Sequence, residues 1–329
     1  MRFVQSVCGP VPVEELGFTL MHEHVMASNA GVPENYPQMY RPDYQESLIR
    51  DLRACKANQI DTIVDASPYD LGRDPRRIQK VAEATGVHII CCTGFFFPLN
   101  PSFGNWTEEQ IASMQIDDVT KGMAGTNIRA GLIKAVMDRE GPTPERRFLH
   151  HAAGIASVET GVPIFMHSNP LYETGRYQIA FLKEVGVPAE QIKLDHMLET
   201  TDMEYIRWAY DQGVWLGCER LPRVTVAGDP YAAGIEARLK TLKKMIDDGM
   251  ADRMMLSHDF SGISPVFDTL SQKQRADFDA QIPGRWLFVK NTVFPRLIEM
   301  GVDASVLYRM NTENPRNFFE AARSKGEGN

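Results

Sequence analysis

Short apolar runs alternate along the chain with longer amphipathic stretches. The runs occupy residues 18–24, 62–66, 87–93, 132–136, 162–167, 192–196, 214–218 and 254–258. Each is rich in Val, Ile, Leu and Phe and gives way to polar or Gly/Pro material, which predicts eight strands. None alternates strictly between apolar and polar, the pattern of strands buried on both faces. Between the runs, the spacing predicts helices over 46–58, 75–85, 144–159, 201–211 and 237–248. Leu48, Ile49, Leu52 and Cys55 share one side of the first, and Pro75 after Asp74 marks the start of the second. Thr85-Gly86-Val87, Thr160-Gly161-Val162 and Gln212-Gly213-Val214 repeat one helix-to-strand junction, with glycine ending the helix.

Alternating strands and helices imply a parallel sheet with right-handed crossovers. Eight such units close into an α/β TIM barrel, a (β/α)8 fold, expected as one domain over residues 1–329. An open doubly wound sheet is the competitor. Neither a Gly-x-Gly-x-x-Gly after a strand nor a Gly-x-x-x-x-Gly-Lys-Ser/Thr occurs, so nucleotide binding has no foothold. Residues 95–105, rich in Phe, Pro, Asn and Gly, read as a functional loop.

Hydrophobic residues at 43% and charged ones at 24% are ordinary globular figures and exclude a disordered chain. A net charge of −8 gives neither nucleic acid nor an anionic membrane a basic surface to hold. No apolar run approaches ~18 residues, so no membrane span is expected, and residues 1–20 lack the pattern of a signal peptide. Five cysteines, with Cys91-Cys92 in an apolar run, fit buried thiols better than disulfides. These features suggest a cytoplasmic protein acting on a small molecule.

Four histidines, His22, His24, His167 and His196, fall at the C-terminal ends of predicted strands, and Asp259 follows the eighth run. In a strand, His22 and His24 share a face; in a helix they would stand about 200° apart and could not meet one ion. Singly, each of these residues has a plain reading as a hydrogen-bonded polar group at a strand end. Jointly they converge on the face where such barrels place their chemistry, and imidazole with carboxylate suits zinc and related divalent ions. Lys134 interrupts the fourth run on the face of Leu132 and Val136, which points either into the barrel or into the helix layer. A lone buried ammonium costs several kcal/mol, so it is paired, neutral or modified. Two readings stand: a lysine snorkelling to the mouth, or a neutral amine carboxylated by carbon dioxide into a carbamate that bridges two metals.

The motif set Met21-His-Glu-His, Gly131-Leu-Ile-Lys, single His on strands five and six and Ser257-His-Asp resembles the phosphotriesterase family of the amidohydrolase superfamily. Gly72-Arg-Asp, Thr93-Gly94, residues 209–220 and Thr312-Glu-Asn-Pro-Arg-Asn-Phe-Phe extend the likeness over essentially the whole chain. The resemblance implies two divalent ions about 3.5 Å apart, most often Zn, with Mn, Co or Fe as alternatives. His22, His24 and Asp259 would hold the more buried ion and His167 and His196 the more exposed one, with carboxylated Lys134 and a hydroxide between them. Asp259 would receive the proton of the attacking water. It also implies a homodimer and a hydrolase acting on a lactone or ester, with side activity on organophosphate triesters. The alternatives are amide hydrolysis of an N-acyl amino acid and, in another class, a catalytically silent metal- or ligand-binding scaffold.

On the substrate side, Arg220 matches a position beside the substrate in lactonase-like relatives, which implies a catalytic donor to a leaving-group or carbonyl oxygen; its plain reading is a surface ion pair with Glu219. Phe96 stands where such relatives commonly offer a tyrosine hydroxyl, leaving an apolar wall. Phe95, Phe97, Trp106, Trp286, Leu287 and Phe288 are further candidates for that wall. Residues 260–286 are expected to form a mobile lid, in which Lys273 and Arg275 attract anions or are simply solvated. His150 and His151 are expected at the surface, His88 at the far end of the barrel, and His258 in a structural role.

Overall fold

The computed structural model describes residues 2–40, 42–221, 234–263, 280 and 282–322. A short antiparallel hairpin, β1 (Phe3–Ser6) and β2 (Gly9–Pro12), precedes the main sheet. Then follow β3 (Thr19–Met26), β4 (Thr62–Asp65), β5 (His88–Gly94), β6 (Leu132–Val136), β7 (Ile164–His167), β8 (Ile192–Leu194), β9 (Trp215–Cys218) and β10 (Met254–Leu256), each parallel to the next. A ninth strand, β11 (Ser261–Ile263), pairs parallel with β3, matching Ser261 to His24 and Ile263 to Met26. Only residues 257–260 separate β10 from β11, so the sheet returns to its own first strand and the barrel closes.

The eight sequence runs correspond one to one to β3–β10, and the expected helices appear at Tyr44–Ala57, Pro75–Thr85, Pro144–Thr160, Met203–Asp211 and Ile235–Asp247. The structure adds helices Glu108–Thr120, Gly175–Glu184 and Ala304–Glu320 to these. Inside the barrel pack Met21, Val64, Ile90, Cys92, Leu132, Phe165, Trp215 and Met255, joined by Val4 and Val11 of the hairpin and by Phe318 and Phe319. Neighbours on the same strands, such as Leu20, Ile63, Ile133 and Leu216, face the helices instead. The Ala304–Glu320 helix seals the seam. Asn311 Nδ2 donates to the carbonyls of Thr19 (2.9 Å) and Leu256 (2.8 Å), bridging β3 and β10, while Asn314 Nδ2 donates to Met254 O at 2.6 Å. Two asparagines around the Thr312-Glu-Asn-Pro motif thus satisfy strand-end carbonyls. Among the described residues no helix is long and apolar enough to cross a membrane.

His150 and His151 correct the expectation of surface histidines: both are buried on the Pro144–Thr160 helix. His151 faces Glu108 and Glu184 from the neighbouring helices. His150 Nδ1 donates to Arg146 O at 2.6 Å, and Gln178 Nε2 donates to His150 Nε2 (3.1 Å) and to His167 O (3.0 Å). Both ring nitrogens are therefore used in the neutral form, and burial lowers the imidazole pKa from 6.5 to about 4. The native state refuses a proton that the unfolded chain accepts below the ordinary value, so this contribution is complete above pH 6.5 and is lost as pH falls toward 4. The total is about 3 kcal/mol. Urea denaturation of His150→Gln across that window should show a shallower loss of stability than the wild type; equal slopes would mean that His150 carries none of the acid sensitivity.

Candidate metal centre

The C-terminal ends of β3, β6, β7, β8 and β10 bring all six expected residues to one mouth. A register shift in β3 between Leu20 and Glu23 sets the first pair. Such a bulge changes which residues face inward: Met21 packs in the barrel, yet His22 also does, its ring 5.5 Å from Phe165. His24 follows on the same side, 5.6 Å from His22 ring to ring. The His22 ring stands 5.0 Å from that of His196, which lies 4.5 Å from that of His167. Lys134 points into the barrel rather than the helix layer. It is 1% exposed, with Nζ donating to Ala66 O at 2.8 Å and lying 5.3 Å from the Phe165 ring and 5.5 Å from the Phe96 ring.

Backbone shape aims several of these groups. His196 (φ 68), Arg220 (φ 59) and Asp259 (φ 56) all adopt the left-handed conformation just past a strand end. That conformation costs a non-glycine residue roughly 1–3 kcal/mol, and such strain concentrates at functional sites.

The donor set fits divalent ions. His22 Nε2, His24 and Asp259 present ligand atoms within 4.8 Å of one another, and a second such group is formed by His22, His196 and Glu219. His22 Nε2 is buried without a hydrogen-bond partner and 3.4 Å from Asp259 Oδ1, while His24 Nε2 is 3.1 Å from that oxygen. His167 Nδ1 and His196 Nε2 lie 2.9 Å apart, one donating to the other, so these two nitrogens sit side by side at the mouth. Burial lowers the pKa of His22, His167 and His196 and keeps these rings neutral, with lone pairs to offer. Burial likewise lowers Lys134 toward the neutral amine. It pushes the Asp259 carboxyl up, but the Arg220 guanidinium and His22 override this and hold it well below the usual range.

Several supporting residues escaped the sequence reading. Glu23, between the two histidines, points away from them: Oε1 accepts from Ser257 Oγ, His258 N and His258 Nδ1 at 2.6–2.8 Å, and Oε2 accepts from Phe260 N at 2.9 Å. His258 is thus structural, as expected, and its Nε2 accepts from Val289 N at 3.0 Å. His24 Nδ1 meets Ser67 Oγ at 2.8 Å and His22 Nδ1 meets Asp195 Oδ2 at 2.9 Å. The available signal was Ile192-Lys-Leu-Asp, whose charged residues alternate with apolar ones inside a strand.

Arg220 is no surface partner of Glu219. Its Nε donates to Asp259 Oδ2 at 2.6 Å and its Nη1 to Glu199 Oε1 at 2.7 Å, while Glu219 turns inward to Lys193. Phe96 stands over the site, 5.6 Å from the His167 ring, and Asp70 fixes it there by accepting from Phe96 N and Phe97 N at 2.8 Å. Phe95 packs on Tyr69 instead, Trp106 is exposed beside Phe103, and Trp286 is buried against Phe260. Of the expected lid, Gly262 belongs to β11, whereas residues 264–279, with Lys273 and Arg275, lie outside the described residues. His88 begins β5, away from the mouth.

The family model described as the phosphotriesterase family matches residues 2–319. An aryldialkylphosphatase of Saccharolobus solfataricus is 31% identical over 93% of this chain and 96% of its own length. A phosphotriesterase homology protein of Mycobacterium tuberculosis is also 31% identical, over 97% of this chain and 98% of its own. The N-acetyltaurine hydrolase of Homo sapiens is 22% identical over 96% and 97%.

Gly94 gives the site a sharp structural test. At φ +107 it lies against β6 so closely that a Cβ would overlap the Lys134 carbonyl oxygen and stand 2.9 Å from the Lys134 backbone C and N. Overpacking and backbone strain together should make Gly94→Ala about 3 kcal/mol less stable. An unchanged urea midpoint would refute this close approach of β5 to β6.

Proposed function

Because the chain belongs to the phosphotriesterase family of metal-dependent hydrolases, we propose that it is a binuclear hydrolase of lactones or esters that also cleaves organophosphate triesters. His22, His24 and Asp259 would hold one ion, His167 and His196 the other, and carboxylated Lys134 would bridge them; zinc is the proposed metal. The observation that carries the reading is the unpartnered, buried His22 Nε2 amid three further imidazoles, a carboxylate and a buried lysine. Divalent ions bound there supply a water acidic enough to ionise near neutral pH and a Lewis acid for the substrate's carbonyl or phosphoryl oxygen.

The chain's own residues do the rest. Asp259, held anionic by Arg220, accepts the proton of the attacking water. Its Oδ1 faces His24 while Oδ2 holds Arg220, so uptake of a proton loosens the Arg220 contact and frees a donor for the leaving oxygen. Glu199 keeps that guanidinium at the mouth. The Phe96 and Phe165 rings lie 5.5 and 5.3 Å from Lys134 Nζ, and burial favours its neutral amine, the form that adds to carbon dioxide and releases one proton. Amide hydrolysis is a second reading, favoured by the relatives named N-acetyltaurine hydrolase; the same attack serves any polarised carbonyl.

Elemental analysis of protein grown with added zinc or manganese should find about two ions per chain; one or none would sink the binuclear reading. Lys134→Ala should lose activity and most metal, with partial recovery on adding short carboxylates. Full metal content in that variant would make Lys134 a bystander. For Phe96→Tyr, a new hydrogen bond to developing charge is worth ~1.5–3 kcal/mol, or roughly 10- to 100-fold in rate. Lactone kcat/KM should rise by that order with phosphotriester hydrolysis nearly unchanged. Equal changes for both substrates would place the residue-96 side chain away from the reacting carbonyl.

A further inference from the structure

One layer below the mouth, the barrel interior holds three charged side chains that the hydrolytic reading does not use. Lys193, on β8, and Asp195 and Glu219, just past β8 and β9, are each 0% exposed. Lys193 Nζ donates to Glu219 Oε1 at 2.6 Å and to Asp195 Oδ1. Gly217 on β9 makes the space: a Cβ there would overlap both carboxylates and stand 2.7 Å from Lys193 Nζ. The interior of such a barrel is ordinarily filled by layers of branched apolar residues. Replacing a buried ion pair by well-packed apolar groups is often neutral or stabilising. Packing alone therefore gives no reason for this cluster.

The second oxygen of each carboxylate supplies one. Asp195 Oδ2 accepts from His22 Nδ1 at 2.9 Å, which leaves Nε2 of that ring as the lone-pair nitrogen facing His24 and Asp259. Glu219 Oε2 accepts from the His196 backbone N–H at 2.8 Å, at the left-handed corner from which the His196 ring reaches His167. We propose that Lys193, Asp195 and Glu219 form one positioning device with an arm to each metal ion. Asp195 sets the tautomer and donor strength of His22, Glu219 holds the corner that aims His196, and Lys193 keeps the two arms in register. The inference rests on the two-ion reading above. A carboxylate accepting from the far nitrogen of a ligating imidazole fixes its orientation and raises its basicity.

Stepwise zinc affinities, measured by competition with a chromophoric chelator, test it on the wild type, Asp195→Asn, Glu219→Gln and the combined variant. Each single change should weaken one binding step by roughly 10- to 100-fold, leaving the other nearly unchanged, and the combined variant should weaken both. Wild-type affinities in both single variants, or equal weakening of both steps by each of them, would overturn the device. A wild-type protein that binds no zinc would instead overturn the underlying two-ion reading. If the variants do not fold, nitrogen-15 NMR of histidine-labelled wild type before and after zinc loading decides: His22 should already carry its proton on Nδ1 before zinc is added. A proton on Nε2 before loading that moves to Nδ1 only with zinc would refute the role of Asp195.

Discussion

The carboxylate of Glu23 accepts four hydrogen bonds from residues 257–260 and so ties the first strand of the barrel to the end of the last. Around it, Asp259 N donates to His22 O at 3.1 Å and His24 N donates to Phe260 O at 2.9 Å. Those contacts set Asp259 beside His22 and His24 although the chain between them runs through every other unit of the fold. The His-Glu-His spacing is thus a two-sided device. Its histidines face the mouth, and the residue between them, turned away by strand geometry, fastens the closure on which their meeting with Asp259 depends.

Charge inside the barrel follows the same economy of placement. Lys193 keeps its proton because Asp195 and Glu219 override the effect of burial. Removing one member of a buried pair is strongly destabilising, since it strands an uncompensated charge. The ring from β6 to β9 therefore mixes two kinds of interior: apolar where Leu132 and Trp215 pack in one cluster with Val4 and Val11 of the hairpin, and ionic where Lys193, Asp195 and Glu219 meet.

What the sequence made legible follows from what kind of burial each residue has. Strands β3–β10 were readable because their residues are buried on both faces and leave continuous apolar runs. The helix Ala304–Glu320 was not, because its buried side carries Asn311, Asn314 and Pro315, which break an apolar stripe. His150 and His151 read as surface residues for the same reason: the partners that allow their burial, Gln178, Glu108 and Glu184, come from other helices. At the site, five of the six candidate ligands stood out by falling together at strand ends, and Lys134 by breaking an apolar run. Glu23, Asp195 and Glu219 did not, since each is defined by a partner across strands that no local spacing reveals.

The three left-handed corners at His196, Arg220 and Asp259 have a consequence for how this protein would respond to selection. Glycine adopts that conformation without steric penalty, so on the proposed reading each corner is a place where stability and chemistry pull in opposite directions. A library selected for heat resistance alone would drift toward glycine or asparagine there and lose the functional groups. One selected for turnover would keep the strained residues and gather its stabilising changes in the helical shell, where the corners of the barrel mouth impose nothing.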